Sequence, residues 1–353
     1  MGRLVSILVI IVATILLIFN IYRQQAPEDV QKDSKTNGNL EVHIEDVQFV
    51  QVENGPSYNP ENEEGTVKIE LKIKNKTSNT LPVRPEFDIV LYDDDKQIDA
   101  LQNVSDPLTR NQLYQSSSIL AGKQKSFIAF FTVAFDTTYD MHISPKANYG
   151  NEEVDDVTIP LDVSEYEETY EQINEPVEVL QAYVDAVYFQ EDVDVDLEGE
   201  MDVDIKALQA EAKSDLLQLI TFRRSEKLPD KIADRFYQTY INMLKKEGEV
   251  NSSIISYNEN NARMRLTYRL PDYSKILTDM SEVRLTLREE KQITELKNAD
   301  EDTWKEIDEL IEEVQMGSGQ IEVDLIKKDD KWMFDSNYSD GEKRIKRIFG
   351  KGY

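Results

Sequence analysis

The sequence contains no cysteine and only two histidines among its 353 residues. Without cysteine, the chain has no disulfide bonds, thiol nucleophiles or thiolate metal sites. The two histidines, His43 and His142, fall in segments that predict strands, and no G-x-S-x-G, H-E-x-x-H or glycine-rich phosphate loop occurs. Pairs of carboxylates are abundant in any acidic protein and do not by themselves indicate glycoside cleavage. The sequence therefore predicts a protein that is not an enzyme.

Basic residues are few relative to acidic ones. The chain has 40 Lys and Arg against 69 Asp and Glu, so its formal net charge is −29 at pH 7. A nucleic-acid-binding surface needs clustered cations that displace the counterions of the phosphates. We therefore expect no nucleic-acid partner.

One long apolar run, Leu4–Tyr22, carries no charge. Its roughly 19 residues, at about 1.5 Å each, match the hydrocarbon core of a bilayer. The only small residue just after the run is Ala26, so a signal-peptidase site is not predicted. We expect residues 1–23 to be a single-pass signal anchor in the plasma membrane and residues 24–39 to be a flexible stalk. The bulk of the chain is expected to be extracytoplasmic.

Alternating hydrophobicity predicts an all-β domain over residues 40–161. Apolar residues occupy every second position in Leu40–Ile44 and again in Val67–Ile73. Further apolar runs follow at Phe87–Leu91 and Phe127–Phe135, with turn residues between them. A period of two is typical of strands that are buried on one face. Several short strands without a helical period predict a β-sandwich.

Three motifs in this region are structural. They are the V-x-I-x-L-x-I-x-N strand of Val67–Asn75, the acidic hairpin at Asp93–Asp95, and the L-x-G-x-x-x-x-F turn from Leu120 to Phe127. Together they resemble the small immunoglobulin-like domains of exported Gram-positive proteins of unknown function. The resemblance covers roughly Leu40 to Leu161 and implies an immunoglobulin-like sandwich, but it carries over no functional residue.

Residues 162–173 are acidic, lack a clear period and are predicted to link the sandwich to a second domain at residues 174–340. Helices are predicted from about Pro176 to Val187, across Lys206–Thr221, from Pro229 towards Lys246, and from about Asp302. Strands are predicted at Ile254–Tyr257, Met264–Leu270, Val283–Leu287, Ile321–Leu325 and Trp332–Phe334. Helices followed by a mostly antiparallel sheet predict an α+β domain.

This order of elements ends in a K-W-M-F hairpin strand at Lys331–Phe334. Both features resemble a carboxy-terminal domain of uncharacterised Gram-positive surface proteins. The resemblance implies a cone-shaped sheet of the nuclear-transport-factor-2-like kind.

Acidic residues occupy every even position from Asp192 to Asp204, with apolar residues or glycine between them. An extended segment of this kind presents one carboxylate face, and carboxylate oxygens are the ligands that calcium prefers. The candidate calcium ligands are Asp194, Asp196, Glu198 and Asp202. Ile205 stands where an EF-hand loop has its bidentate Glu, so any affinity should be weak. The alternative is a solvated acidic face.

Five arginines are predicted to share one face of the second sheet, and they are Arg263, Arg265, Arg269, Arg284 and Arg288. Such a row could bind an anion or a partner protein. The alternative is pairing with acidic residues on a neighbouring strand, such as Glu322 and Asp324. The basic tail, residues 341–353, offers a second cationic surface that could contact anionic lipid or wall polymer, or dock on the acidic surface of the same chain.

An anchor, a stalk and two domains without catalytic motifs indicate a non-catalytic, membrane-anchored binding or scaffold protein. Its expected partner is another envelope protein or a wall component, and no cofactor is expected apart from weakly bound calcium. The alternative is a cell-surface enzyme or small-ligand sensor. That function would need a pocket in the α+β domain lined by groups such as Tyr240, Tyr268, Trp304 or Trp332.

Overall fold

The computed structural model describes residues 34–350, apart from residues 54, 60, 62, 103, 105–117, 146–153, 222–226 and 337–339. Across this described part of the chain, no helix is both long and apolar enough to cross a membrane. The predicted anchor at Leu4–Tyr22 and the first part of the predicted stalk lie outside the described residues.

The amino-terminal domain consists of strands in two antiparallel sheets, as the sequence predicts. Its strands are β1 (Ser34–Asn37), β2 (Leu40–Phe49), β3 (Glu64–Asn75), β4 (Leu81–Pro82), β5 (Ile89–Asp93), β6 (Lys96–Asp99), β7 (Ser118–Ile119), β8 (Gln124–Ala134), β9 (Thr138–Ile143) and β10 (Val157–Asp162). One sheet has the order β1-β2-β3-β8 and the other β10-β9-β5-β6, with β4 and β7 forming a short separate pair. The two four-stranded sheets give the domain a sandwich-like architecture.

The alternating residues of β2 and β3 point into the core. Val42, Ile69, Leu71 and Ile73 are fully buried, as the period of two predicts. Phe87 is an exception, because Pro85 begins a single helical turn, α1 (Pro85–Asp88), which leaves the Phe87 side chain 56% exposed.

The predicted stalk is partly wrong, because residues 34–37 form β1 rather than flexible chain. Gly38 has a positive φ of 46°, which allows a tight turn that returns the chain into β2. Ser34 pairs with His43 and Asn37 with Leu40. The backbone of this polar segment is therefore part of the first sheet even though its side chains bury little.

The segment between the domains is helical rather than irregular. Two 3₁₀ turns, Val163–Tyr166 and Gln172–Asn174, flank helix α2 (Glu167–Glu171). On this helix Tyr170 is buried, its ring lying 5.7 Å from that of Phe49 and 4.5 Å from that of Phe135. These side chains pack the connecting segment against the sandwich.

The carboxy-terminal domain is α+β, with a four-stranded antiparallel sheet. Its elements are α3 (Glu175–Val184), a π-helical turn (Asp185–Phe189), α4 (Leu197–Glu200), α5 (Ile205–Ile220), α6 (Asp230–Glu247), β11 (Glu249–Asn258), β12 (Asn261–Pro271), α7 (Tyr273–Glu289), a 3₁₀ turn (Leu296–Asn298), α8 (Glu301–Glu312), β13 (Met316–Lys328), β14 (Lys331–Phe334) and α9 (Gly341–Ile348). The strand order is β11-β12-β13-β14. The predicted helices and the β11–β12 hairpin are therefore confirmed.

The strand predicted at Val283–Leu287 is wrong, because these residues lie in α7. Asp272 caps this helix by accepting hydrogen bonds from the backbone N–H groups of Ser274 and Lys275. Ile276, Met280 and Leu287 face the core at helical spacing, while Leu285 is 55% exposed. The V-R-L-T-L alternation thus coincides with a longer helical pattern that begins before it.

The two domains are joined by a shared core and by backbone hydrogen bonds. One cluster of buried apolar side chains extends from the sandwich through Tyr170 into the carboxy-terminal domain. In addition, the Tyr257 N–H donates to the Gln51 carbonyl at 2.9 Å, and the Glu259 N–H donates to the Gln48 side chain at 3.3 Å. The sandwich therefore contacts the second domain at more than the connecting chain.

Replacing Asp300 by alanine should lower the melting temperature, because Asp300 caps α8. Its Oδ1 accepts from the Thr303 hydroxyl at 2.6 Å and from the Thr303 N–H at 2.9 Å. These bonds and the Lys291 ammonium lower the pKa of Asp300 from 3.8 to about 2. Since the pKa is lowered on folding, the stabilisation is present above the ordinary value and is lost as the pH falls towards about 2.

Thermal melts across the acid range test this prediction. The difference between the wild type and Asp300→Ala should shrink on acidification. The control is Asp302→Ala, which removes an exposed carboxylate from the same first turn without removing the cap. An equal effect of both substitutions at neutral pH would contradict the assignment.

Candidate functional site

The acidic row at Asp192–Asp204 is not the continuous extended segment that the sequence predicts. Residues Leu197–Glu200 form α4, which Asp196 caps by accepting from the Gly199 N–H at 3.2 Å. Asp204 caps α5 through the Ala207 N–H at 2.9 Å. The helical turn interrupts the alternation, so the carboxylates do not form one face.

The candidate calcium ligands Asp194, Asp196, Glu198 and Asp202 are not gathered into a metal site. Among the described residues, no group of three or more acidic or histidine side chains is placed to hold a metal ion. The apolar residues of the row pack against the core, as their alternation with the acidic residues predicts. Leu197 and Met201 are buried, and Met201 forms a parallel bridge with Trp332 of β14.

The five arginines do not share one face. Arg263, Arg265 and Arg269 lie on β12, whereas Arg284 and Arg288 lie on α7. On β12 two of the arginines pair with acidic residues of the neighbouring strand, which is the alternative to anion binding. Arg263 pairs with Asp324 at 2.7 Å, and Arg265 pairs with Glu322 at 3.5 Å. Arg269 contacts Glu247 at the end of α6, and Arg284 donates to the Ile220 carbonyl.

Replacing Arg263 by alanine should destabilise the carboxy-terminal domain by about 3 kcal/mol, because Asp324 is only 7% exposed and would lose its guanidinium partner. The matched control is Arg265→Ala, whose pair with Glu322 is open to solvent and should contribute less than about 1 kcal/mol. Urea unfolding of both variants measures the difference. Equal losses would show that burial of the acidic partner does not decide the effect.

The predicted basic tail is a docked helix over its described part. In α9, Ile345 is fully buried, and Phe349, just after the helix, stacks on Tyr188 with ring centroids 4.0 Å apart. Lys346 pairs with Glu211 at 2.8 Å and with Glu342 at 2.7 Å. Docking on the acidic surface of the same chain is therefore confirmed for this face of the tail.

The aromatic residues proposed for a deep pocket are mostly core residues. Trp304 and Tyr240 are almost fully buried, and the Tyr240 hydroxyl is hydrogen-bonded to that of Tyr273. Burial raises the pKa of Tyr240 above its ordinary value, so its hydroxyl stays protonated. Of the two histidines, His43 lies on β2 and His142 on β9, in different sheets.

Two concave regions in the described part of the carboxy-terminal domain are candidate sites. The first is a cavity of about 330 Å³ beside β14, lined by residues that include Tyr183, Met201, Asp202, Trp332, Phe334 and Glu342. Asp202 is the only candidate calcium ligand in its lining. The apolar walls come from α3, β14 and the segment before α5, so this cavity lies where the acidic row meets the core.

The second concave region is a groove of about 440 Å³ between β13 and α9. Its lining residues are Gln320, Ile321, Glu322, Arg344, Arg347 and Ile348. We call this region the β13–α9 groove. Sequence reasoning missed it, although the K-R-I-K-R-I segment carries the pattern of a helix with cations on one side and isoleucines on the other.

The groove combines cations with apolar side chains in a strongly acidic protein. Arg344 and Arg347 are exposed, whereas Ile321 and Ile348 are half-buried. Arg344 also donates to the Glu322 carbonyl at 3.0 Å, which positions its guanidinium beside the strand. The arrangement can bind an anionic group next to apolar contacts.

Comparison with known proteins identifies relatives of the fold. The chain is similar to the crystal structure of a Bacillus subtilis subsp. subtilis str. 168 protein described as a "putative lipoprotein (ycdA)", with 20% identity and a TM-score of 0.58 over 91% of this chain and 99% of that chain. At this identity the likeness shows the fold alone. No curated protein matches the chain.

Two further structures are similar over little more than a third of this chain. The yjhA protein from Bacillus subtilis is 15% identical, with a TM-score of 0.29, covering 37% of this chain and 95% of that chain. A "putative lipoprotein from Staphylococcus aureus subsp. aureus NCTC 8325" is 14% identical, with a TM-score of 0.25, covering 38% and 95%.

The family assignment rests on the carboxy-terminal half. Residues 166–350 match the family described as "Domain of unknown function (DUF5105)". This range contains every element from the connecting helix α2 to α9, and therefore both concave regions. Because the match covers more than half of the 353 residues, the chain belongs to the DUF5105 family.

Proposed function

We propose that this protein is a non-catalytic binding protein of the cell surface. Leu4–Tyr22 would anchor it in the plasma membrane, with both domains outside. The observation that carries the binding function is the β13–α9 groove, a cationic and apolar surface on a chain whose net charge is −29. A surface location is supported by the fold likeness to a protein described as a putative lipoprotein.

The packing between the domains supports a role as a rigid adaptor. Tyr170 and the Gln51–Tyr257 bridge join the sandwich to the domain that carries the groove. In the proposed arrangement, the sandwich spaces the groove from the membrane, and an envelope protein or a wall component is the partner. A cone-shaped, nuclear-transport-factor-2-like sheet stays an expectation from the resemblance.

Protease added to intact cells tests the location. We expect digestion of the bulk of the chain while a cytoplasmic protein in the same cells stays intact. Alkaline carbonate washing should leave the undigested protein in the membrane fraction. Protection of both domains until the cells are lysed would contradict the proposed orientation.

A small-ligand sensor is the second candidate, and the cavity beside β14 is the observation that favours it. Its walls combine aromatic rings with the carboxylates of Asp202 and Glu342, which suits a ligand with a cationic group and an apolar body. Thermal-shift screening with small amines tests this function. The control is Ala207→Phe, since Ala207 lines the cavity and the larger side chain should abolish any shift.

Weak calcium binding at the acidic row also stays a prediction. The test is a melt of the full chain in detergent micelles with and without calcium at fixed ionic strength. Seven like charges close in sequence favour a divalent ion even without a preformed ligand set. A melting temperature that calcium leaves unchanged, or that magnesium raises equally, would remove this proposal.

A further inference from the structure

One edge of β13 is unpaired over much of its length. The strand runs from Met316 to Lys328, and its inner edge pairs with β12 from Met316 to Ile326. On the outer edge, β14 pairs only with Leu325–Lys328. Among the described residues, no strand pairs with the outer edge of residues 316–324.

Two hydrogen bonds establish which backbone groups point outward. The Asp324 carbonyl accepts from the Asp335 N–H at 2.9 Å, and the Glu322 carbonyl accepts from Arg344 Nη1 at 3.0 Å. On the inner side, the Lys327 N–H donates to the Asn260 carbonyl at 2.8 Å. In an antiparallel strand the N–H and C=O of one residue point to the same side, and the side alternates with each residue.

The alternation assigns the remaining groups of the edge. Ser318 and Gln320 have the parity of Glu322 and Asp324, so their N–H and C=O groups also point outward. Both residues are exposed. Lysine and proline are residues that usually prevent a second chain from pairing with an edge strand. Neither occurs between Met316 and Glu322. Within the described part of the chain, this edge is therefore open to an added strand.

Helix α9 supplies the side wall of this edge. A Cβ built on Gly341 would lie 2.7 Å from Val323 Cγ1, so the helix begins in close contact with the strand. Arg344 then reaches Glu322, and Arg347 and Ile348 line the groove with Gln320 and Ile321. Lys343 pairs with the capping Asp340, whereas Arg344 and Arg347 are exposed in the lining and make this wall cationic.

We propose that the β13–α9 groove binds an extended acidic segment of a partner protein, which adds to β13 as a strand. The inference rests on the proposed binding function, and it names the chemical class of the partner. Backbone hydrogen bonds to Ser318 and Gln320 would hold the segment, and Arg344 and Arg347 would pair with its carboxylates. Because alternate side chains of a strand face opposite sides, the acidic residues of the segment would face α9 and the residues between them would face the other side of the sheet.

A second copy of this chain fits the groove less well. Pairing two β13 edges antiparallel about a twofold axis would bring the cationic α9 of one copy towards that of the other. The cost of such like-charge contacts favours a partner of opposite charge. Self-association is therefore an outcome of the test that would overturn the proposal.

The probes are blocked seven-residue peptides with a fluorescent label. One alternates Glu with Val, a second replaces every Glu by Lys, and a third has the acidic sequence with a central proline, which cannot donate a ladder hydrogen bond. The protein is the full chain in detergent micelles at physiological salt, where only short-range charge contacts persist. Fluorescence anisotropy measures affinity, and amide hydrogen exchange locates the bound peptide.

We expect the acidic peptide to bind and to slow exchange in the Met316–Glu322 segment. The lysine and proline peptides should each bind at least about tenfold more weakly, a difference of about 1.4 kcal/mol. Equal binding of the acidic and lysine peptides, or protection elsewhere in the chain, would overturn the proposal.

Two protein variants complete the test. Gln320→Pro removes the outward N–H from the edge, a position where proline is compatible with a strand, and should reduce binding by about tenfold. Arg347→Glu reverses a groove charge and should have a similar effect. The matched control is Lys305→Glu, an exposed cation on α8 outside the groove, which should leave affinity unchanged. Wild-type affinity in both groove variants, or dimerisation in place of peptide binding, would exclude strand addition.

The outcomes separate this inference from the proposed location. Peptide binding is measured on purified protein, whereas the surface location is measured on intact cells. A failure of peptide binding would leave a surface protein with a different ligand. A failure of the protease experiment would leave the groove intact in another compartment.

Discussion

Replacing Trp332 by alanine should lower the free energy of unfolding by about 3–5 kcal/mol, the usual cost of removing a large aromatic side chain from a core. Trp332 is fully buried in β14, its ring centroid 6.4 Å from that of Tyr257, and the Lys327 ammonium lies 5.6 Å from its ring. The Trp332 backbone also forms the parallel bridge with Met201, which joins β14 to the segment before α5. Urea denaturation followed by circular dichroism measures the change.

The conservative control is Trp332→Phe. Within the described structure the indole Nε1 of Trp332 has no hydrogen-bond partner, so a phenyl ring loses volume but no hydrogen bond. We expect the Phe variant to lose less than half as much stability as the Ala variant. Similar losses for both would show that the indole nitrogen makes a stabilising interaction.

Replacing Tyr170 by alanine should uncouple the two domains. The Tyr170 ring packs on Phe49, Phe135 and Tyr58, and its hydroxyl donates to the Asn59 carbonyl at 2.7 Å. A loss of about 3–5 kcal/mol is expected for a buried aromatic ring. Because this side chain fixes α2, the variant should also become sensitive to protease between residues 163 and 174, where the wild type should resist.

Tyr170→Phe is the control, since it keeps the ring and removes only the hydrogen bond, at about 1 kcal/mol. Limited proteolysis and urea unfolding should be run on the wild type and both variants. Rapid cleavage of the wild-type protein at this segment would support the interdomain linker predicted from its composition and contradict the packing described above.

Strand periodicity predicted the architecture where one face of a strand is buried. The alternation in Leu40–Ile44 and in Met264–Leu270 places buried residues directly, because the side-chain period of a strand is two. The same reasoning failed at Val283–Leu287, where five residues are too few to separate a strand from part of a helix. Ile276 and Met280, outside that window, decide the helix.

The candidate sites could be predicted only in part. The Arg263–Asp324 pair follows from neighbouring strands, so the sequence already contained the correct alternative. The calcium ligands required an extended segment, but Asp196 caps α4 and ends the alternation. The β13–α9 groove depends on how far β14 pairs and where α9 docks. Both are set by long-range packing, such as the Phe349–Tyr188 stack, which no local pattern encodes.

The helical segment at residues 163–174 has a mechanical consequence. Tension between a partner bound at β13 and a point of attachment before β1 would be carried through the rings around Tyr170 and the backbone bridge between Gln51 and Tyr257. These contacts lie in parallel with the covalent chain, so they share the load. Single-molecule stretching of the wild type should therefore record an extension when these contacts break, and Tyr170→Ala should abolish it.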